Sequence, residues 1–103
     1  MSSIEDGLEV TVDGTAAVPR VTICGELDLA SADQVRLAVT PVLGPEVERI
    51  ELDLAAVEFL DSSGLSVLLE LAAAHPVRIV AASVPVQRIV TITGLDEALG
   101  LAP

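Results

Sequence analysis

Two adjacent hydroxyls stand where a strand hands over to a helix. Phe59-Leu-Asp-Ser-Ser-Gly-Leu65 puts Ser62 and Ser63 at the head of an apolar, helically spaced run. The first turn of a helix has unpaired amides and a partial positive charge, so an anion is stabilised there. Either serine can also act as a plain cap for those amides, and Ser62 is the natural N-cap if the helix begins at Ser63. Gly64 has no side chain and leaves room beside Ser63 for a modifying enzyme. A nucleophilic serine needs a base. The one histidine, His75, sits at the far end of the same expected helix, roughly 20 Å away at the helical rise. The segment is not Gly-x-Ser-x-Gly either. No catalytic residue is assigned.

The junction before the first helix, Gly25-Glu-Leu-Asp28, carries two carboxylates. Glu26 and Asp28 without further oxygen ligands make a poor cation site, and a solvated, partner-facing loop is the better expectation. Cys24 reads as a small buried hydrophobe. One Cys and one His cannot build a four-ligand zinc site, and a lone cysteine without a secretory signal fits a reducing cytoplasm. The chain has no Lys, so a Gly-Lys-Ser/Thr phosphate loop is excluded. No metal or cofactor is expected.

Alternating strands and helices position these junctions. Leu8–Val12 alternates apolar and polar residues, Asp13-Gly14 signals a turn, and β-branched Val18–Cys24 completes an antiparallel hairpin. Ser31-Ala-Asp-Gln34 has the form of a capping box. The helix after it should kink or tighten at Pro41 and stop at Gly44-Pro45. Arg49–Leu54 is a strand, Ser62–His75 a helix with a wide apolar stripe, and Val77–Ala81 a strand. Ser83-Val-Pro85 opens a last long helix capped by Gly94, and Asp96–Gly100 is a final turn. This order implies right-handed crossovers and a mostly parallel sheet of about four strands with three to four helices, a single α/β domain. The domain is expected over residues 8–101, with a flexible polar lead-in over residues 1–7.

Half of the 103 residues are hydrophobic, which supports one core. Phe59 is the only aromatic, so base-stacking platforms are ruled out. Sixteen acidic against five basic residues give a net charge of -11. Such a chain repels nucleic acid and anionic lipid. No apolar run approaches the roughly 20 residues needed to span a bilayer, so neither nucleic-acid binding nor membrane insertion is expected.

Taken in order, Gly25-Glu-Leu-Asp28, Ser31, Asp53-Leu54, Phe59-Leu-Asp-Ser-Ser-Gly-Leu65, Ser83-Val-Pro85 with Arg88, and Thr93-Gly-Leu95 resemble the STAS domain. The likeness is to bacterial anti-sigma factor antagonists and runs from about Leu8 to Leu99. The resemblance implies that Ser63 accepts phosphate from an anti-sigma factor serine kinase, and that a phosphatase resets it. It implies that the unmodified protein binds the anti-sigma factor, so that a sigma factor is released. It places Glu26, Asp28, Asp61, Ser62 and Gly64 on the partner-binding surface. Ala74-His-Pro-Val77 departs from the Gly-rich loop common in the family, and Pro41 is unusual. Non-switching STAS proteins, subunits of lipid-transport ABC complexes or stressosome-type scaffolds, are the alternative.

Overall fold

Apolar residues at every second position give a strand one face fit for burial, and here that alternation sorts the sheet into an inner and an outer side. A computed structural model describes residues 2–5 and 7–101. Strand β1 (Ser2–Glu5), β2 (Leu8–Gly14), β3 (Pro19–Leu27), β4 (Ile50–Leu60) and β5 (Val77–Ala82) form one sheet in sequential order. The first two pairings are antiparallel and the last two parallel, so the sheet is mixed. Leu8, Val10, Val12, Val21, Ile23, Ile50, Leu52, Leu54 and Ile79 are buried on the inner side. Three helices follow the parallel strands: α1 (Ala32–Val39), α2 (Ser62–Ala74) and α3 (Val84–Ile92). Right-handed crossovers between strands laid down in sequence put α1 and α2 on one face. Val35, Val39, Val67, Leu68, Val86, Val90 and Leu99 fill the core from that side.

The hairpin turn, the cap of α3 by Ser83 and the positive φ of Gly94 are as the sequence predicts. Pro41 tightens the chain as expected: α1 stops at Val39 and a 3-10 turn covers Thr40–Val42, because proline cannot donate to the carbonyl four residues back.

Elsewhere the structure departs from the sequence reading. Most of the polar lead-in, expected to fray, pairs as β1 against β2, since β2 offers an otherwise open edge; Met1 and Asp6 lie outside the described residues. The Ser31–Gln34 capping box does not form. Gln34 is buried and its side-chain amide donates to the Leu8 carbonyl at 3.1 Å, tying α1 to β2.

Strands β3 and β4 also run further than their alternation suggests. Gly25 continues β3 at a φ of 105°, where a Cβ would lie 2.0 Å from the Gly7 carbonyl oxygen. Only glycine tolerates that approach. In β4, Thr22 to Cys24 spans two steps against three from Asp53 to Ala56, and Gly25 to Glu26 one step against two from Val57 to Phe59. These are two bulges, each one extra residue in β4.

Candidate functional site

Parallel pairing brings the two junctions together. Leu27 and Leu60 are register partners at the ends of β3 and β4, and the Asp61 amide donates to the Leu27 carbonyl at 3.3 Å. The loop after β3, with Asp28, therefore lies beside the start of α2. This is the carboxyl end of the parallel strands, where ligand and partner sites of open α/β sheets collect.

The helix start is built differently from the sequence expectation. Asp61, not Ser62, is the N-cap: its backbone is extended and its carboxylate accepts from the Gly64 amide at 3.0 Å. The Leu65 amide closes the first turn on the Asp61 carbonyl at 2.9 Å. Aspartate caps as well as serine does, so this outcome was open from sequence. Ser62 and Ser63 become the first two helical residues, and among the described residues neither hydroxyl is engaged in a hydrogen bond. Ser62 is exposed and Ser63 half-buried.

Gly64 is buried, which corrects its assignment as a contact residue and as room for an approaching enzyme. A Cβ there would stand 2.5 Å from the Leu27 carbonyl oxygen and under 3 Å from the Leu27 and Leu60 side chains. The glycine seats α2 against β3.

The loop after β3 is pinned by its own side chains. Asp28 Oδ1 accepts from the amides of Ala30 and Ser31 at 3.0 and 3.2 Å. Ser31, 1% exposed, accepts from the Asp28 amide at 3.0 Å and donates to the Glu26 carbonyl at 2.8 Å. Sequence reasoning missed this role for Ser31, assigning it to the capping box. Asp28 holds its loop in shape rather than only facing solvent. Glu26 is exposed, but its carboxylate leans over Gly7, toward the β1–β2 turn. The six residues singled out from sequence thus share one end of the sheet, with Glu26 on its outer side.

His75 terminates α2, a helix length from Ser63, so the one histidine does not reach the serines. Cys24 is half-buried on β3. Burial first, then the Glu9 and Asp53 carboxylates, pushes its thiol above the ordinary range and keeps it from ionising. Arg36 on α1 grips Glu70 on α2 through two hydrogen bonds, at 2.8 and 3.0 Å, and also pairs with Asp33. Hydrogen bonding to Arg36, with its charge, holds the Glu70 carboxyl below its usual value. Among the described residues no cluster of three or more His, Cys, Asp or Glu is placed to hold a metal ion. No described helix is long and apolar enough to cross a membrane.

The chain thus pairs a mixed α/β sheet with an Asp-Ser-Ser-Gly helix start at the carboxyl end of its parallel strands. The family model described as "Mlab, STAS domain" matches residues 10–102, and the chain belongs to this STAS family. It is similar, at 38% identity over 66 residues, to the anti-sigma-F factor antagonist RsfB of two Mycobacterium tuberculosis strains, covering 64% of this chain and 54% of theirs. The chain spans about half the length of those curated relatives. The crystal structure of an anti-sigma factor antagonist from Mycobacterium paratuberculosis superposes with a TM-score of 0.83 at 30% identity, over 98% of this chain and 90% of that one. Unphosphorylated SpoIIAA, an anti-sigma factor antagonist, superposes at 0.69 with 25% identity, over 84% and 81%. The phosphorylated form of SpoIIAA, a Bacillus cell fate determinant, shares the fold at 0.65 and 22% identity, over 84% of each chain.

Proposed function

We propose that this protein is a cytoplasmic anti-sigma factor antagonist, a binding module and not an enzyme. In this reading it engages an anti-sigma factor serine kinase while Ser63 is unmodified, so that a sigma factor is released. Phosphorylation of Ser63 switches the binding off, and a phosphatase restores it. The observation that carries the reading is the Asp61 cap, which leaves the Ser63 hydroxyl unbonded at a helix start. The names of the mycobacterial relatives and of SpoIIAA support the antagonist role, and phosphorylated SpoIIAA shares the fold.

The physics of the switch is local. Phosphate adds about -1.5 to -2 charge at pH 7. On Ser63 it meets the partial positive charge of the α2 N-terminus, worth roughly 0.3–1 kcal/mol at an exposed helix end, so the domain need not unfold. A partner carboxylate about 6 Å away would feel roughly 3 kcal/mol of repulsion per unit charge at an effective dielectric near 20. That is about two decades of affinity, enough to break a complex without a conformational change.

Incubation with ATP and an anti-sigma kinase, followed by mass mapping, tests the assignment. Phosphate is expected on Ser63 and absent from the Ser63→Ala variant, which should remain a constitutive binder. Phosphate on Ser62, or an ABC ATPase recovered by capture in place of an anti-sigma kinase, would contradict it; the latter would favour a non-switching transporter subunit.

A further inference from the structure

Among the described residues the outer side of the sheet carries no helix of its own, and its two ends differ in chemistry. At the amino ends of the parallel strands, Asp13, Arg20, Glu51 and Arg78 are successive register partners across four strands. Their charges alternate and balance. Toward the carboxyl ends, the outer residues are Glu9, Cys24 and Ala56 in one row and Glu26 and Phe59 in the next, with Asp53 one row below. That end interleaves the apolar Cys24, Ala56 and Phe59 with the acidic Glu9, Glu26 and Asp53, and none of these outer rows contains an arginine.

Phe59 faces outward because β4 is bulged. With Val57 buried, strict alternation would send residue 59 inward; the extra residue at Glu58 reverses it, and Phe59 is 48% exposed in register with Glu26. Neighbouring strands lie about 4.8 Å apart, so Phe59 and Glu26 are adjacent positions across the β3–β4 pair. The chain's single aromatic is thereby held out of an all-aliphatic core, two residues before the Asp61 cap. Bulges that re-aim a side chain concentrate beside functional sites, and aromatic anchors dominate interface energetics.

We propose that this end of the outer face is a docking surface for a cationic segment of the anti-sigma partner. An apolar side chain of that segment seats on Phe59 and Ala56, and its arginines or lysines face Glu9, Glu26 and Asp53. The proposal rests on the antagonist reading above and adds a second contact area, around the sheet end from Ser63. Charge selects the occupant. Anionic lipid and nucleic acid are repelled, and a second copy of this chain would set the same acids against one another. A basic segment is attracted and oriented.

The test is calorimetric titration of wild type, Phe59→Ala and Glu9→Lys against an anti-sigma kinase captured by the wild-type chain. Phe59→Ala is expected to weaken binding by about tenfold or more. Glu9→Lys, far along β2 from Ser63, should weaken it about three- to tenfold at low salt, with the difference shrinking as salt rises. Both variants should be phosphorylated on Ser63 at the wild-type rate once kinase saturates. Wild-type affinity in both variants would overturn this inference and leave the antagonist reading standing. Failure of wild type to bind any anti-sigma kinase would overturn both. A concentration-dependent dimer of the wild-type chain, lost in Phe59→Ala, would assign the face to a second copy and overturn the partner docking.

Discussion

At Gly64 the missing side chain is a packing requirement. Gly64→Ala pushes a methyl onto the Leu27 carbonyl, and overpacking of this kind costs about 1–3 kcal/mol. Thermal melts should show a loss of roughly 4–8 °C per kcal/mol for a domain of this size; an unchanged midpoint would mean α2 can shift outward freely. Cys24 should alkylate more slowly than a free thiol at pH 8, because its thiol is pushed up by burial and by Glu9 and Asp53. Glu9→Gln and Asp53→Asn should each speed the reaction, followed by mass spectrometry with iodoacetamide. At this scale the sequence made the chemistry legible but not the division of labour. Asp-Ser-Ser-Gly marks a helix start whichever residue caps it. Whether Asp61 or Ser62 does so is decided by the bond from the Asp61 amide to Leu27, a contact between segments distant in the chain.

Elements carry the next layer. Loss of the Asp28 carboxylate removes an acceptor for two amides, so Asp28→Ala should cost about 1 kcal/mol, the usual net worth of an intramolecular hydrogen bond. Hydrogen exchange at Ala30 and Ser31 should rise with it; unchanged protection would mean the Asp28 carbonyl holds the loop alone. Arg36 and Glu70 join α1 to α2 at the surface. Because Glu70 titrates below its usual range in the fold, its contribution is present above the unfolded carboxyl pKa and is lost as pH falls through the folded value. Glu70→Gln should therefore melt slightly below wild type at pH 7, and the two curves should converge in acid. Strand alternation made β2, the start of β4 and β5 readable, and helical spacing made α2 and α3 readable. The extensions of β3 and β4 were hidden for physical reasons: Gly25 reads as a breaker until Gly7 is seen against it, and each bulge resets the period of two. β1 was illegible because its polar residues carry no alternation, and its pairing comes from the open edge of β2.

Across the whole molecule, charge is segregated. Three of the five arginines, Arg20, Arg49 and Arg78, gather around Glu51 at the amino ends of the parallel strands, through register pairing and the 3.2 Å Arg49–Glu51 contact. Glu26, Asp28 and Asp61 hold the opposite end, where the serines are. A net charge of -11 then favours a basic partner and makes added phosphate count against binding there. Under the proposed function, association of the unmodified protein with an anti-sigma kinase should slow as salt rises, as steered encounters do; a salt-independent rate in stopped-flow mixing would argue against this polarity. The most direct test of the central claim is calorimetric titration of an anti-sigma kinase with this protein before and after stoichiometric phosphorylation. We expect the dissociation constant to rise about a hundredfold once Ser63 carries phosphate, with the circular dichroism spectrum unchanged. Equal affinity in the two states would contradict it.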